Sequence, residues 1–189
     1  MLLPLIVFLL CAVLPVFFGR LRAAPFWVSV QALALAWALS SRHAEVTLHS
    51  LIGVAEVLVV RGALAPWLLR RAIGQRAAEE LDLMPSNLFA WGIAMALIVL
   101  AFEFGGAAVS EIGTFTMGVV GATVAISFLV LTTNDSPPAQ WVALLYLENA
   151  LALFESLLPD PWELPVHGTL SGVYLLTLGV GAFLLSPAG

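Results

Sequence analysis

Glu148, Asn149 and Glu155 stand inside the run LLYLENALALFESLLP, residues 144–159, which is otherwise apolar and looks long enough to cross a bilayer. An ionisable group at bilayer depth costs at least ~2.5–3.5 kcal/mol, so each one within a span marks a candidate functional position. Glu148 lies about ten residues into its span, ~15 Å deep and near the midplane at ~1.5 Å per residue. Glu155 comes seven positions later, about 20° off the same helical face and ~10 Å away. That separation is too great for a shared proton but suits successive stations on a water-linked path. Proton relay asks for a carboxylate that burial has pushed toward neutral pH. Trp141, Leu144 or Leu145, Glu148, Ala152 and Glu155 share the face, and Asn149 beside it is expected to hydrogen-bond across helices or hold a water.

A second pair stands in the third apolar run, where Glu56 is followed at i+5 by Arg61. In an α-helix that spacing is about 140°, so each is expected to find its partner on another helix. Arg61 does not readily release a proton. Its expected task is to tune a nearby carboxylate, and the bland alternative is a buried ion pair fixing helix register. His167 and Ser171 fall at i and i+4 on the last run, where a histidine can pass protons or serve as an interfacial hydrogen bonder. His43 and His49 flank the third run without a third ligand, so no metal site is read. The sequence has no phosphate-binding glycine loop, no Cys-x-x-Cys and no nucleophile elbow, and so no catalytic residue is assigned. Glu103, Glu111, Glu45, Asp160 and Glu163 lie near predicted span ends, where solvation is available.

The elements that must position these groups follow from composition. The chain of 189 residues is 61% hydrophobic and 10% charged, with a mean hydropathy of +1.04, which places it among integral membrane proteins. A crossing helix needs about 20 apolar residues. Seven runs qualify, near residues 2–18, 25–41, 46–69, 86–105, 108–132, 139–158 and 164–186. The fold class is therefore an all-α bundle of about seven transmembrane helices in one domain, with N-terminal helices over 1–45, central helices over 46–105 and a three-helix unit over 106–189. The first run has no basic residues before it and reads as a retained span, not a signal peptide. Pro25, Pro85, Pro138 and Pro165 stand near span starts, where a missing N–H costs little. Residues 70–86 read as a solvated interfacial helix. Gly118 with Ala122, and Gly121 with Ala125, give small-residue faces for close packing.

All seven basic residues are arginines, and no basic patch points to nucleic acid. Arg20, Arg22, Arg70, Arg71 and Arg76 fall in the first and third connections, against Arg42 alone in the second. This bias puts the first and third connections inside, the N-terminus outside and the C-terminus inside. The single cysteine, Cys11, reads as packing.

ALLYLENALALFESLL (143–158), followed by PWELPVHGTLSGVYLLTLGVGAFLL (161–185), resembles the C-terminal part of the hydrogenase-4 component E family, whose corresponding helix carries Glu-Asn-Gly. VAEVLVVRGALAPWLLRR, residues 54–71, resembles that family's helix with a basic residue five positions before a proline. The resemblance covers about residues 46–186. In its last three helices the family is similar to the K-type subunit of respiratory complex I and the C subunit of multisubunit cation/proton antiporters. It implies that Glu148 is the counterpart of a membrane-embedded proton carrier and Arg61 of the family's intramembrane basic residue. It further implies a non-catalytic subunit of a complex-I-like or group 4 hydrogenase-type oxidoreductase in the cytoplasmic membrane, with no cofactor in this chain. The implied partners are antiporter-like membrane subunits and an iron–sulfur or hydrogenase-like peripheral arm. Three features depart from the family pattern: Ala150 in place of glycine, TTNDSPP (132–138) in place of a usually basic connection, and His167 and Ser171 where acids are usual. Either Glu155 or His167 would then replace the second acid, or the path would be altered. An independent small ion transporter and a structural membrane scaffold are the alternative readings.

Overall fold

Runs of about 20 apolar residues in lipid can satisfy their backbone only internally, and the helix is the local way to do so. The computed structural model describes residues 2–18, 20–42, 48–75, 83, 88–105, 111–156 and 164–185. In order they form α1 (Leu2–Phe18), a 3-10 turn (Leu21–Ala23), α2 (Ala24–Arg42), α3 (Leu48–Glu56), a π-helical stretch (Val57–Leu64), α4 (Ala65–Gln75), α5 (Leu88–Gly105), α6 (Glu111–Thr133), α7 (Pro137–Glu155) and α8 (Leu164–Leu185). Because α3, the π stretch and α4 are continuous, these are seven helices, and the described residues include no strand.

Among the described residues, five segments are long and apolar enough to cross a membrane on their own: Leu21–Ser41, Ser50–Gly74, Leu88–Gly105, Ile112–Thr133 and Gly168–Leu185. α1 is apolar but has only 17 residues. α7 is not among the five, since Gln140, Glu148, Asn149 and Glu155 lower its hydropathy. The expected seven runs are thus seven helices, of which five qualify as spans by length and composition. Pro25, Pro138 and Pro165 fall in the first turns of α2, α7 and α8, as expected. The expected third run is longer than the sequence pattern indicated, continuing as helix to Gln75. Pro85 and most of the expected interfacial helix at 70–86 lie outside the described residues.

α7 is the axis of the bundle, packing against α6, α2, α8 and α4, while α5 lies on α6 and α1 on α2 and α6. Small residues set these distances. A methyl group at Gly118 would run into the Phe102 ring, one at Gly121 would lie 3.3 Å from the Ala101 Cβ, and one at Gly181 would strike the Trp141 indole. The small-residue face of α6 is thus a packing surface against α5.

The apolar interior has two parts. One gathers Val16, Leu21, Val28, Leu69, Ile126, Trp141, Tyr146 and Tyr174. The other gathers Leu5, Phe8, Leu35, Val57, Val119 and Leu153. On α2, Gln31 falls between Val28 of the first and Ala32 of the second; on α7, Asn149 falls between Tyr146 and Leu153; on the third helix, Arg61 falls between Val57 and Ala65. A polar layer therefore divides the core at mid-depth.

Candidate functional site

The π stretch explains how that layer is assembled. Pro66 has no N–H to give and its ring crowds the preceding turn, so regular α-helical bonding cannot continue through it. The Ala65 N–H instead bonds to the Val60 carbonyl, five residues back. Widening the turn to an i→i+5 pattern brings residues five apart onto one side. Glu56 Oε1 and Arg61 Nε accordingly lie 3.4 Å apart as an ion pair. This corrects the sequence expectation, which assumed α geometry and placed the two about 140° apart.

Arg61 also reaches another helix, as expected. Its Nη1 donates to the Glu148 carbonyl at 3.1 Å and to Asn149 Oδ1 at 3.2 Å. Its guanidinium lies over the Tyr174 ring, 4.1 Å from the centroid, a cation–π contact made within the bundle interior. Asn149 passes the network on, donating from Nδ2 to Gln31 Oε1 at 2.9 Å. On the other side, the Thr177 hydroxyl donates to Glu148 Oε1 at 2.6 Å, a short charge-assisted bond. One connected set of polar contacts thus links α2, the π stretch, α7 and α8. Arg61, Gln31 and Asn149 are buried, whereas Glu56 and Glu148 are only partly so.

Chemically, the cluster holds one permanent cation, two carboxylates, and groups with bonding capacity to spare. Gln31 Nε2 and the Tyr174 hydroxyl make no hydrogen bond to a described residue. Buried groups of this kind take bound water as their ordinary partner. Such an arrangement can bind and release a proton at a carboxylate and pass it along hydroxyls and water. Among the described residues, no group of three His, Cys, Asp or Glu gathers as a metal site would need.

Of the expected proton-path residues, Glu148, Glu56 and Arg61 come together. Glu155 ends α7, two turns from Glu148. His167 lies in the first turn of α8, and its side chain is outside the described residues. Gln31, Tyr174 and Thr177 belong to the site without having been read from the sequence. Gln31 carried a usable signal, a lone amide in the apolar run VSVQALALAW. Tyr174 and Thr177 carried none, because hydroxyl residues are common in spans and usually bond their own helix, as Thr116, Thr123 and Ser127 do here.

No family model, curated protein or solved structure matches the chain.

Proposed function

We propose that the chain is a non-catalytic membrane subunit that contributes to proton or cation translocation, with Glu148 as the proton carrier. The observation that carries this reading is a mid-helix carboxylate, partly buried, held by a hydroxyl at 2.6 Å on one side while its own backbone carbonyl accepts from a buried arginine on the other. A charge-bearing layer of this kind is costly in a bilayer, and proton or ion pathways are a principal use of such layers. Glu56 is a second station, and Glu155, with His167, an interfacial one.

The resemblance to hydrogenase-4 component E proteins supports placing the chain in a complex-I-like or group 4 hydrogenase-type assembly. Redox chemistry would then belong to partner subunits. The outward apolar faces of α5 and α8, with Leu100, Phe104, Leu176 and Phe183 exposed, offer surface for lipid or for antiporter-like neighbours. The arginine bias of the turn at 20–22 and of α4 supports a cytoplasmic position for that end of the bundle.

Purification of the tagged chain in mild detergent is expected to bring down antiporter-like subunits and an iron–sulfur partner. In vesicles, that assembly is expected to lose proton transport when it carries Glu148→Gln, with its subunit composition unchanged. Full transport by the variant would remove Glu148 from the path. A chain that purifies alone and conducts ions would instead be an independent transporter. A structural reading has its own support, since Arg61 bonds the α7 backbone and Asn149 and thereby ties helices together. Under that reading Glu148→Gln and Glu56→Gln both leave transport intact.

A further inference from the structure

Hydroxyl side chains in these helices commonly bond a backbone carbonyl of their own helix, three or four residues back. Thr116, Thr123, Ser127 and Thr133 each donate to the carbonyl four residues back in their own helix, at 2.6 to 2.8 Å. That bond is always within reach of a helical threonine, because a carbonyl already bonded to an N–H keeps a second lone pair. Thr177 does otherwise. Its hydroxyl crosses from α8 to α7 and donates to Glu148 Oε1 at 2.6 Å. The Val173 carbonyl, four residues earlier in α8, is the acceptor that the helical habit would give it.

A hydroxyl carries one donor and two acceptor sites, so it can face a carboxyl group in either protonation state. When Glu148 is ionised, Thr177 donates to it. Once Glu148 holds a proton, its O–H can donate to Thr177 Oγ1, and the threonine hydrogen turns to the Val173 carbonyl. No bond between heavy atoms is made or broken and no proton is lost; one hydrogen bond reverses direction and a second forms within α8. Neither Arg61 nor Glu56 can serve in this way, because the guanidinium only donates and the Glu56 carboxylate is engaged with it.

We infer that Thr177 is the positioning residue for Glu148, holding its carboxyl group at the α7/α8 interface in both the ionised and the protonated state by reversing their shared hydrogen bond. The inference rests on the reading that Glu148 exchanges a proton. It gives α8 a part in that exchange although α8 contributes no described acid to the cluster.

The test is infrared difference spectroscopy of the purified full chain, or of its assembly, titrated with pH in lipid. The Glu148 signals are those that vanish in Glu148→Gln. In Thr177→Val, which keeps the shape of the side chain, both signals are expected to move: the carboxylate band because it loses a donor, and the protonated C=O band, upward in frequency, because the carboxyl group loses its fixed environment. Thr177→Ser is expected to restore both bands. A protonated band unchanged in Thr177→Val would overturn the two-state role and leave Thr177 a donor to the ionised form alone. Failure of Thr177→Ser to restore the bands would overturn it as well. If no pH-dependent band vanishes in Glu148→Gln, Glu148 does not titrate, and the proton-carrier reading fails together with this one. A normal spectral response in Thr177→Val with impaired transport would overturn only the positioning role.

Discussion

Arg61 carries a full charge into the middle of the bundle, and its surroundings show how that is tolerated. One nitrogen faces Glu56, another bonds the α7 backbone and Asn149, and the plane of the group rests on Tyr174. Removing one partner of a buried pair leaves the other uncompensated, at a cost of about 3–5 kcal/mol. Because Glu56 keeps some exposure, Arg61→Met is expected to fall at the lower end, about 3 kcal/mol. The double variant Arg61→Met with Glu56→Leu is expected to recover much of that loss. Unfolding in detergent measures both, and equal losses in the single and double variants would mean that the pair is not coupled. At this scale the sequence was legible wherever a charge interrupted an apolar run, which is why Glu148, Glu56 and Arg61 stood out. Thr177 and Tyr174 could not be read, because only packing decides whether a hydroxyl serves its own helix or the next one.

At the scale of elements, helix existence was legible and helix facing was not. Every expected run is a helix, but lipid and protein interior are equally apolar, so hydrophobic periodicity does not say which side of a span points inward. The π stretch was hidden for a related reason. Pro66 was visible in the sequence, yet how a helix accommodates a proline depends on its neighbours. Close contact between elements leads to a paired prediction on α8. Gly181→Ala pushes a methyl group into the rigid Trp141 indole and is expected to destabilise by about 1–3 kcal/mol, the usual cost of overpacking. At Gly179 nothing lies within 4 Å of such a methyl, so Gly179→Ala is expected to be neutral or stabilising by up to about 1 kcal/mol. Thermal stability of the two variants checks this directly; equal effects would mean that α8 does not seat Trp141 at Gly181.

For the whole molecule, chain direction places the 3-10 turn, the end of α4, the start of α5 and the start of α7 at one end of the bundle. Contacts agree, since Phe17 and Phe18 meet Trp91, the 3-10 turn packs on α4, and Asn134 Nδ2 donates to the Leu83 carbonyl. Arg20, Arg22, Arg70 and Arg71 gather at this end, whereas exposed Glu103 is near the other. Cys11 is buried, so single cysteines can report on each end against a quiet background. In intact cells an impermeant maleimide is expected to label Glu103→Cys, and to label Arg20→Cys only after the membrane is opened. The reverse pattern would invert the orientation. The central position of α7 also bears on how the protein is made. A helix carrying two carboxylates and an asparagine is a poor substrate for independent entry into lipid from the translocon, with Glu148 alone, well inside the helix, costing ~2.5–3.5 kcal/mol when charged. Its expected residence in the bilayer therefore requires helices synthesised before and after it. α2 and the π stretch offer Gln31 and Arg61 in advance, and α8 completes the enclosure last. Biogenesis of this chain is in that sense expected to be cooperative, with the helix that bears the candidate site entering the membrane only when its neighbours are in place.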